Sequence, residues 1–194
     1  SGNVSTRLDN VDGSRELLAV TPMGKMHDAL KDEDIAITDF DLEPIEGDLV
    51  PSSESLLHVT VYRARPDVSA IIHSHPVFSS VLAVAGLDII PIIDEMMITI
   101  GGPVKVSKYA LPGTQELADS VCAALGVRGA ALIRNHGAVS VGRDLSEALH
   151  VSSMVERVAQ IFVYTSLLGK VNTLPKGAMD MEFAIYQMRR QVEL

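Results

Sequence analysis

The sequence predicts an α/β fold of the α+β kind, with a mainly antiparallel central sheet flanked by helices in a single domain over residues 1–194. Three observations lead there. The chain has 194 residues and is 47% apolar, enough to enclose one full hydrophobic core. Strand-like segments come in neighbouring pairs, with helices between some pairs and not others, unlike the strict alternation of a doubly wound parallel sheet. Neither G-x-G-x-x-G nor a P-loop is present to mark a nucleotide-binding unit.

The elements follow in order. LLAV (17–20) reads as a strand after a turn at DNVDGS (9–14), and TPMGK (21–25) as a tight loop. HDALKDEDIAITDFD (27–41) reads as one turn of helix followed by a strand, and EPIEGDLVPSS (43–53) as a polar loop punctuated by Pro and Gly. SESLLHVTVYRARP (53–66) is a helix stopped by Pro66. DVSAIIHSHP (67–76) is a strand rich in β-branched residues, and VFSSVLAVAG (77–86) a helix closed by Gly86. DIIPIIDEMMITIGG and PVKVSKYA (88–110) read as extended. GTQELADSVCAALG (113–126) is a helix with Thr114 as N-cap. AALIRNHGAVSVG (130–142) reads as two strands around a bend at 135–137. The segment from 144 to 169 is a long helix opening on Asp144 and Glu147, a variant of the capping box, and a short helix follows Pro175.

Composition excludes several classes. The net charge is −9 and no Lys/Arg stripe occurs, which argues against nucleic acid or an anionic membrane as partner. A phosphorylated substrate stays compatible, because a pocket can be locally positive in an acidic protein. The one cysteine, Cys122, excludes an intrachain disulfide and reads as a buried apolar residue. No apolar stretch reaches the length of a membrane span, and the opening SGNVSTRLDN carries no signal peptide, so the expected location is cytoplasmic.

The chemistry centres on histidine. His73 and His75 stand two apart in a strand, so their side chains face the same way and are spaced to chelate one metal ion. The third nitrogen must come from elsewhere, and His136, in a polar bend between apolar strands, is the best candidate. Three histidines with an open position make the catalytic pattern for zinc. The other histidines, His27, His58 and His150, read as ordinary loop and helix residues. Ser52 and Ser53 precede a helix, so one of them is the expected N-cap; free backbone N–H groups beside two hydroxyls make an anion site. Glu54 falls in the first helical turn, where a carboxylate is commonplace. Ser1-Gly2-Asn3 and Thr21-Pro22-Met23-Gly24 are small-residue loops able to approach a phosphate closely.

The segments SGNVSTR, TPMGK, EGDLVPSSE, YRARPDVSAIIHSHP, YALPGTQELADSV and IRNHGAVSVGRDLSEAL together resemble the class II aldolase/adducin family, and within it the L-fuculose-1-phosphate aldolases. They cover nearly the whole chain in the family's order. The resemblance implies a zinc-dependent lyase, with another divalent metal as an alternative. Such an enzyme cleaves a ketose 1-phosphate into dihydroxyacetone phosphate and an aldehyde through an enediolate. The family's zinc ligands fall on His73, His75 and His136, and its glutamate, both ligand and base, on Glu54. The phosphate positions fall on Gly2, Asn3, Met23, Gly24, Ser52 and Ser53. The family also implies a homotetramer with active sites between neighbouring subunits.

Three departures from the pattern stand out. The family's N-terminal helix is missing ahead of Ser1, so a truncated product is expected. A tyrosine that serves the aldehyde half is replaced in IIDEMMITIGG, which puts Glu95 or a neighbour there. The C-terminal tail aligns poorly, leaving Tyr186 as the aldehyde-side candidate. Within the superfamily, ribulose-5-phosphate 4-epimerases typically carry Asp where Glu54 stands, and methylthioribulose-1-phosphate dehydratases keep the histidines but eliminate water. A non-catalytic adducin-like interaction domain is the rival of a different class; it has no need of all three histidines and Glu54.

Overall fold

The computed structural model describes residues 2–8 and 15–191. The turn expected at 9–14, and Ser1 of the first glycine loop, lie outside the described residues. Eight strands form one sheet: β1 (Gly2–Leu8), β2 (Leu17–Val20), β3 (Ala36–Asp39), β4 (Pro44–Glu46), β5 (Ala70–Ser74), β6 (Lys105–Val106), β7 (Ala130–Ile133) and β8 (Gly137–Gly142). Their order is β4-β3-β2-β1-β5-β8-β7-β6, antiparallel throughout except for the β6–β7 pair. The expected fold class is therefore the observed one.

Helices cover both faces. On one, α1 (Ser55–Ala64) and α4 (Gln115–Leu125) bury Leu57, Val61, Leu117 and Val121 against Ile71, Ala131, Ile133, Val139 and Val141. On the other, α2 (Val77–Ala85), α3 (Asp94–Ile100) and α5 (Leu145–Leu167) pack Leu82, Met96, Val151 and Val155 against Ala130, Leu132 and Ala138. The central strands β7 and β8 are buried at every position, as apolar layers on both sides require. Each fully buried Leu, Ile or Val there contributes roughly 1.5–3 kcal/mol.

Local signals account for most ends. Thr114 Oγ1 accepts from Leu117 N, and Gly86 adopts a left-handed conformation that closes α2. Asp144 accepts from Glu147 N, while Glu147 reaches back to Arg143 N, one residue earlier than in the usual capping box.

Four expectations are corrected. The first seven described residues are a strand, not a loop: the buried positions of β1 are Asn3 and Ser5, so its inward face lacks the apolar alternation that marks a strand. A short edge strand, β4, lies inside the expected polar loop. Residues 94–100 form α3, with Asp94 and Glu95 in its first turn and Met96, Met97 and Ile100 buried on one side, although its isoleucines favour extended backbone. The last helix, α6 (Lys176–Gln191), has 16 residues and packs on α3.

Candidate active site

The site lies where β5 ends. Ile71 and His73 alternate onto the face covered by α1, and the His73 side chain is fully buried. Its Nδ1–H donates to the Ala138 carbonyl of β8 at 2.9 Å, which fixes the ring and turns Nε2 toward its neighbours. His75 follows just beyond the strand, its Nε2 2.9 Å from His73 Nε2. His136 arrives on the three-residue turn between β7 and β8, which Asn135 enters with φ 56°. Gly137 permits that approach: a Cβ there would lie 2.4 Å from Ser74 O and 2.6 Å from the His75 ring. The three ring centroids are 4.7–4.8 Å apart, and one ring nitrogen from each lies within 4.8 Å of the others.

Glu54 closes the group. It is the N-cap residue of α1, its Oε2 3.1 Å from His73 Nε2 and its Oε1 3.6 Å from His136 Nε2. Asn3 Nδ2 donates to Oε2 at 2.9 Å. Asn3 is held opposite His73 in the β1–β5 register, and Gly2, at φ +115°, lets the strands meet, since a Cβ there would lie 2.3 Å from His73 O.

The donor set fits a divalent cation. A carboxylate oxygen and an imidazole lone pair at 3.1 Å need a positive centre between them. A proton on His73 Nε2 satisfies that one pair; a metal cation satisfies all four groups together. Glu54 Oε1 is buried and has no hydrogen-bond partner among the described residues. Burial, followed by the charges of the neighbouring rings, pushes His75 down to about 4, and burial also lowers His136. These rings are neutral and free to ligate near pH 7. Burial pushes the Glu54 carboxyl up, but contacts with His73, Asn3 and His136 outweigh it and hold the group at about 2, so it is ionised.

A cavity of about 630 Å³ adjoins Glu54 and is lined by Gly2, Asn3, Met23, Gly24, Ser52 and Ser53. All the expected phosphate positions thus share one surface with Glu54. The expectation that a serine caps α1 is corrected. Glu54 is the N-cap, no side chain caps the helix, and Ser52 Oγ accepts a long 3.3 Å bond from Glu54 N. Sequence reasoning missed Lys25 and His27, which line the same cavity; Lys25 pairs with Asp34, and His27 Nε2 donates to Gly2 O at 3.2 Å. It also missed Glu156, whose carboxylate accepts from Phe78 N and Ser79 N at 2.9 Å and so anchors the start of α2 just after His75. No motif signals a glutamate 78 residues from its partner.

The two aldehyde-side candidates are elsewhere in this chain. Glu95, in the first turn of α3, is 59% exposed and pairs with Arg157 of α5. Tyr186 of α6 is buried over Gly101, its hydroxyl donating to Val127 O at 3.1 Å and accepting from Arg190 at 3.2 Å. Neither is brought to the histidines.

A mostly antiparallel sheet thus carries three converging imidazoles and a carboxylate beside a cavity, a group able to hold a metal ion. The chain belongs to the class II aldolase and adducin family: the profile of the Class II Aldolase and Adducin N-terminal domain matches residues 1–163. It is 32% identical over 164 residues to the 5-deoxy-D-ribulose 1-phosphate aldolase of Bacillus thuringiensis, covering 84% of this chain and 76% of that one. It is 34% identical over 166 residues to the L-fuculose phosphate aldolase of Escherichia coli, covering 85% and 74%. A solved structure of an L-fuculose 1-phosphate aldolase superposes with a TM-score of 0.89 at 32% identity, over 96% of this chain and 86% of the other.

Proposed function

We propose that the protein is a divalent-metal aldolase, with zinc as the resident ion, that cleaves a ketose 1-phosphate into dihydroxyacetone phosphate and an aldehyde. One observation carries the reading: Glu54 touches the histidine group with its carboxylate and lines the cavity that holds the phosphate-type residues. The aldolase relatives support it, being named for two different sugar phosphates but one reaction.

His73, His75, His136 and Glu54 would hold the ion. When bound it supplies Lewis acidity toward the negative charge that develops on the ketone and hydroxyl oxygens of the substrate. The rest is done by the chain. The hydroxyls of Ser52 and Ser53, with the start of β1 at Gly2–Asn3 and the loop at Met23–Gly24, anchor the phosphate, remote from the bond that breaks, and so orient the carbons. Glu54, ionised at neutral pH, takes a proton from the hydroxymethyl carbon of dihydroxyacetone phosphate in the condensing direction and returns it after cleavage.

The proposal includes a homotetramer with sites at subunit boundaries. The exposed apolar row Val77, Val81 and Val84 on α2 supports a covered face there. It also includes a cytoplasmic location, where a charged sugar phosphate is retained; no helix of the described residues is long and apolar enough to cross a membrane.

The test is a panel of ketose 1-phosphates and 5-phosphates, offered to metal-loaded protein and scored for dihydroxyacetone phosphate. Release from at least one 1-phosphate is expected. Conversion of a 5-phosphate with no release from any 1-phosphate would overturn the reading.

A further inference from the structure

We propose that Ser5 and His58 are positioning residues for the Glu54 carboxylate. The inference rests on the reading of Glu54 as the proton-transfer group. On β1, Asn3 and Ser5 stand two apart and are both buried, at 5% and 2% exposure, so they face the same way. On α1, Glu54, His58 and Tyr62 stand four apart and share one helical face. Two strand residues advance about 6.6 Å and four helical residues about 6 Å, so the two rows stay in step. They meet as rungs. Asn3 Nδ2 donates to Glu54 at 2.9 Å, and Ser5 Oγ lies 2.6 Å from His58 Nδ1 and 2.7 Å from the Tyr62 hydroxyl.

The chemistry of the second rung is specific. Ser5 Oγ is shared by the Tyr62 hydroxyl and His58 Nδ1, and one hydroxyl can give its proton to one of them while accepting from the other. Burial keeps His58 neutral, and in either tautomer its Nε2 has no partner among the described residues. A wholly buried imidazole left half-satisfied works against stability. Its neighbours Leu57, Val59 and Val61 would hold α1 on the sheet without it. Apolar packing is non-directional, however, and tolerates small slides and rotations of a helix. Glu54 is at the helix terminus, where few backbone bonds restrain it. The Ser5 rung fixes the rotation and height of α1 one turn further in, and so delivers the carboxylate to Asn3 and His73.

The experiment compares His58→Leu with His58→Asn. Leucine keeps the volume and removes the unsatisfied nitrogen, so it should melt no lower than wild type. Asparagine can keep a hydrogen-bonding atom near the Nδ1 position but leaves a gap, and should melt lower. Zinc-loaded proteins of equal metal content are assayed for exchange of the hydroxymethyl proton of dihydroxyacetone phosphate into deuterated water. Positioning predicts the opposite ranking from stability. His58→Leu should be slower by about tenfold, toward the hundredfold that a displacement of about 1 Å can cost, and His58→Asn should stay within about threefold of wild type. A second reading needs no catalysis: in metal-free crystals of His58→Leu the Asn3–Glu54 contact should lengthen beyond hydrogen-bond distance. Should that variant not fold, Ser5→Ala gives the same two readings. Activity that simply follows stability, together with an unmoved Glu54, would overturn the proposal. Absence of exchange in wild type would instead sink the aldolase reading, and the crystals would still decide the positioning.

Discussion

Two regions that the family pattern assigns to one reaction behave differently in this chain. The histidine group and Glu54 are brought together around the sheet: β1, β5, the β7–β8 turn and the start of α1 converge within a few ångströms. The aldehyde-side candidates lie on α3 and α6, Glu95 paired with Arg157 and Tyr186 tied to Val127 and Arg190. The first group therefore converges within one chain. The second needs either other residues or a neighbouring subunit. The difference teaches that Asn3 and His73 are set against each other by strand register, whereas Glu95 and Tyr186 are held by contacts among the outer helices and the loop at Val127.

Breaking the first region should have the largest effects. His73→Ala removes the buried ring at the centre of the group. Losing only an outer partner of a metal ligand commonly costs 10–100-fold in affinity, so losing the ligand should cost at least about 100-fold. Metal analysis of the purified variant should find most of the ion gone; full occupancy would remove His73 from the metal site. Glu54→Gln keeps the shape and loses the base. With zinc resupplied it should still bind dihydroxyacetone phosphate yet exchange its proton slower by roughly two orders of magnitude. Equal exchange would hand the proton to another group.

A pH experiment sharpens the same region. Burial holds His58 at about 3 in the folded protein, far below its unfolded value of 6.5. As pH falls below 6.5 the unfolded chain takes up a proton that the folded one refuses, so stability declines until about pH 3. Between pH 7 and 5 this removes about 2 kcal/mol. His75 and His136, lowered in the same direction, make the metal-free protein lose stability over the same interval. Urea unfolding of metal-free His58→Leu should lose about 2 kcal/mol less over that interval than wild type; parallel slopes would refute the assignment. Smaller again is Ser53→Ala, which should weaken inhibition by a phosphorylated ketone about tenfold, the scale of one hydrogen bond to a charged group, and spare metal content. Unchanged inhibition would take the serine out of the phosphate site.

The same contrast explains what could be read from sequence. His-x-His in a β-branched run fixes both the strand and the shared face, because strand periodicity leaves no choice. Thr114, Gly86 and Asp144 end helices through local bonds that a sequence displays. β1 was illegible because its inward residues are polar, and they are polar because they face Glu54, His58 and Tyr62. α3 was illegible because isoleucine and methionine runs suit a strand as well as a buried helix, and only packing against α5 and α6 decides. Glu156 and the Ser5–His58 contact are long-range partners, and no local signal encodes them.

The smallest expected effect tests the second region directly. Glu95→Gln should disturb an exposed ion pair worth at most about 1 kcal/mol. Tyr186→Phe removes a buried hydroxyl and leaves Val127 O without its donor, a stability cost of about 1–3 kcal/mol. Proton exchange on dihydroxyacetone phosphate needs no aldehyde, so both variants should exchange within about threefold of wild type. Cleavage of the complete sugar phosphate is the discriminating measurement. If its rate also stays within threefold, both residues serve the fold alone. If cleavage falls tenfold or more while exchange holds, the residue acts on the aldehyde half, and since this chain keeps it from its own histidines, the site it serves belongs to a neighbouring subunit. A matching loss in exchange and cleavage would erase the contrast, because α3 and α6 would then be supporting the metal half after all.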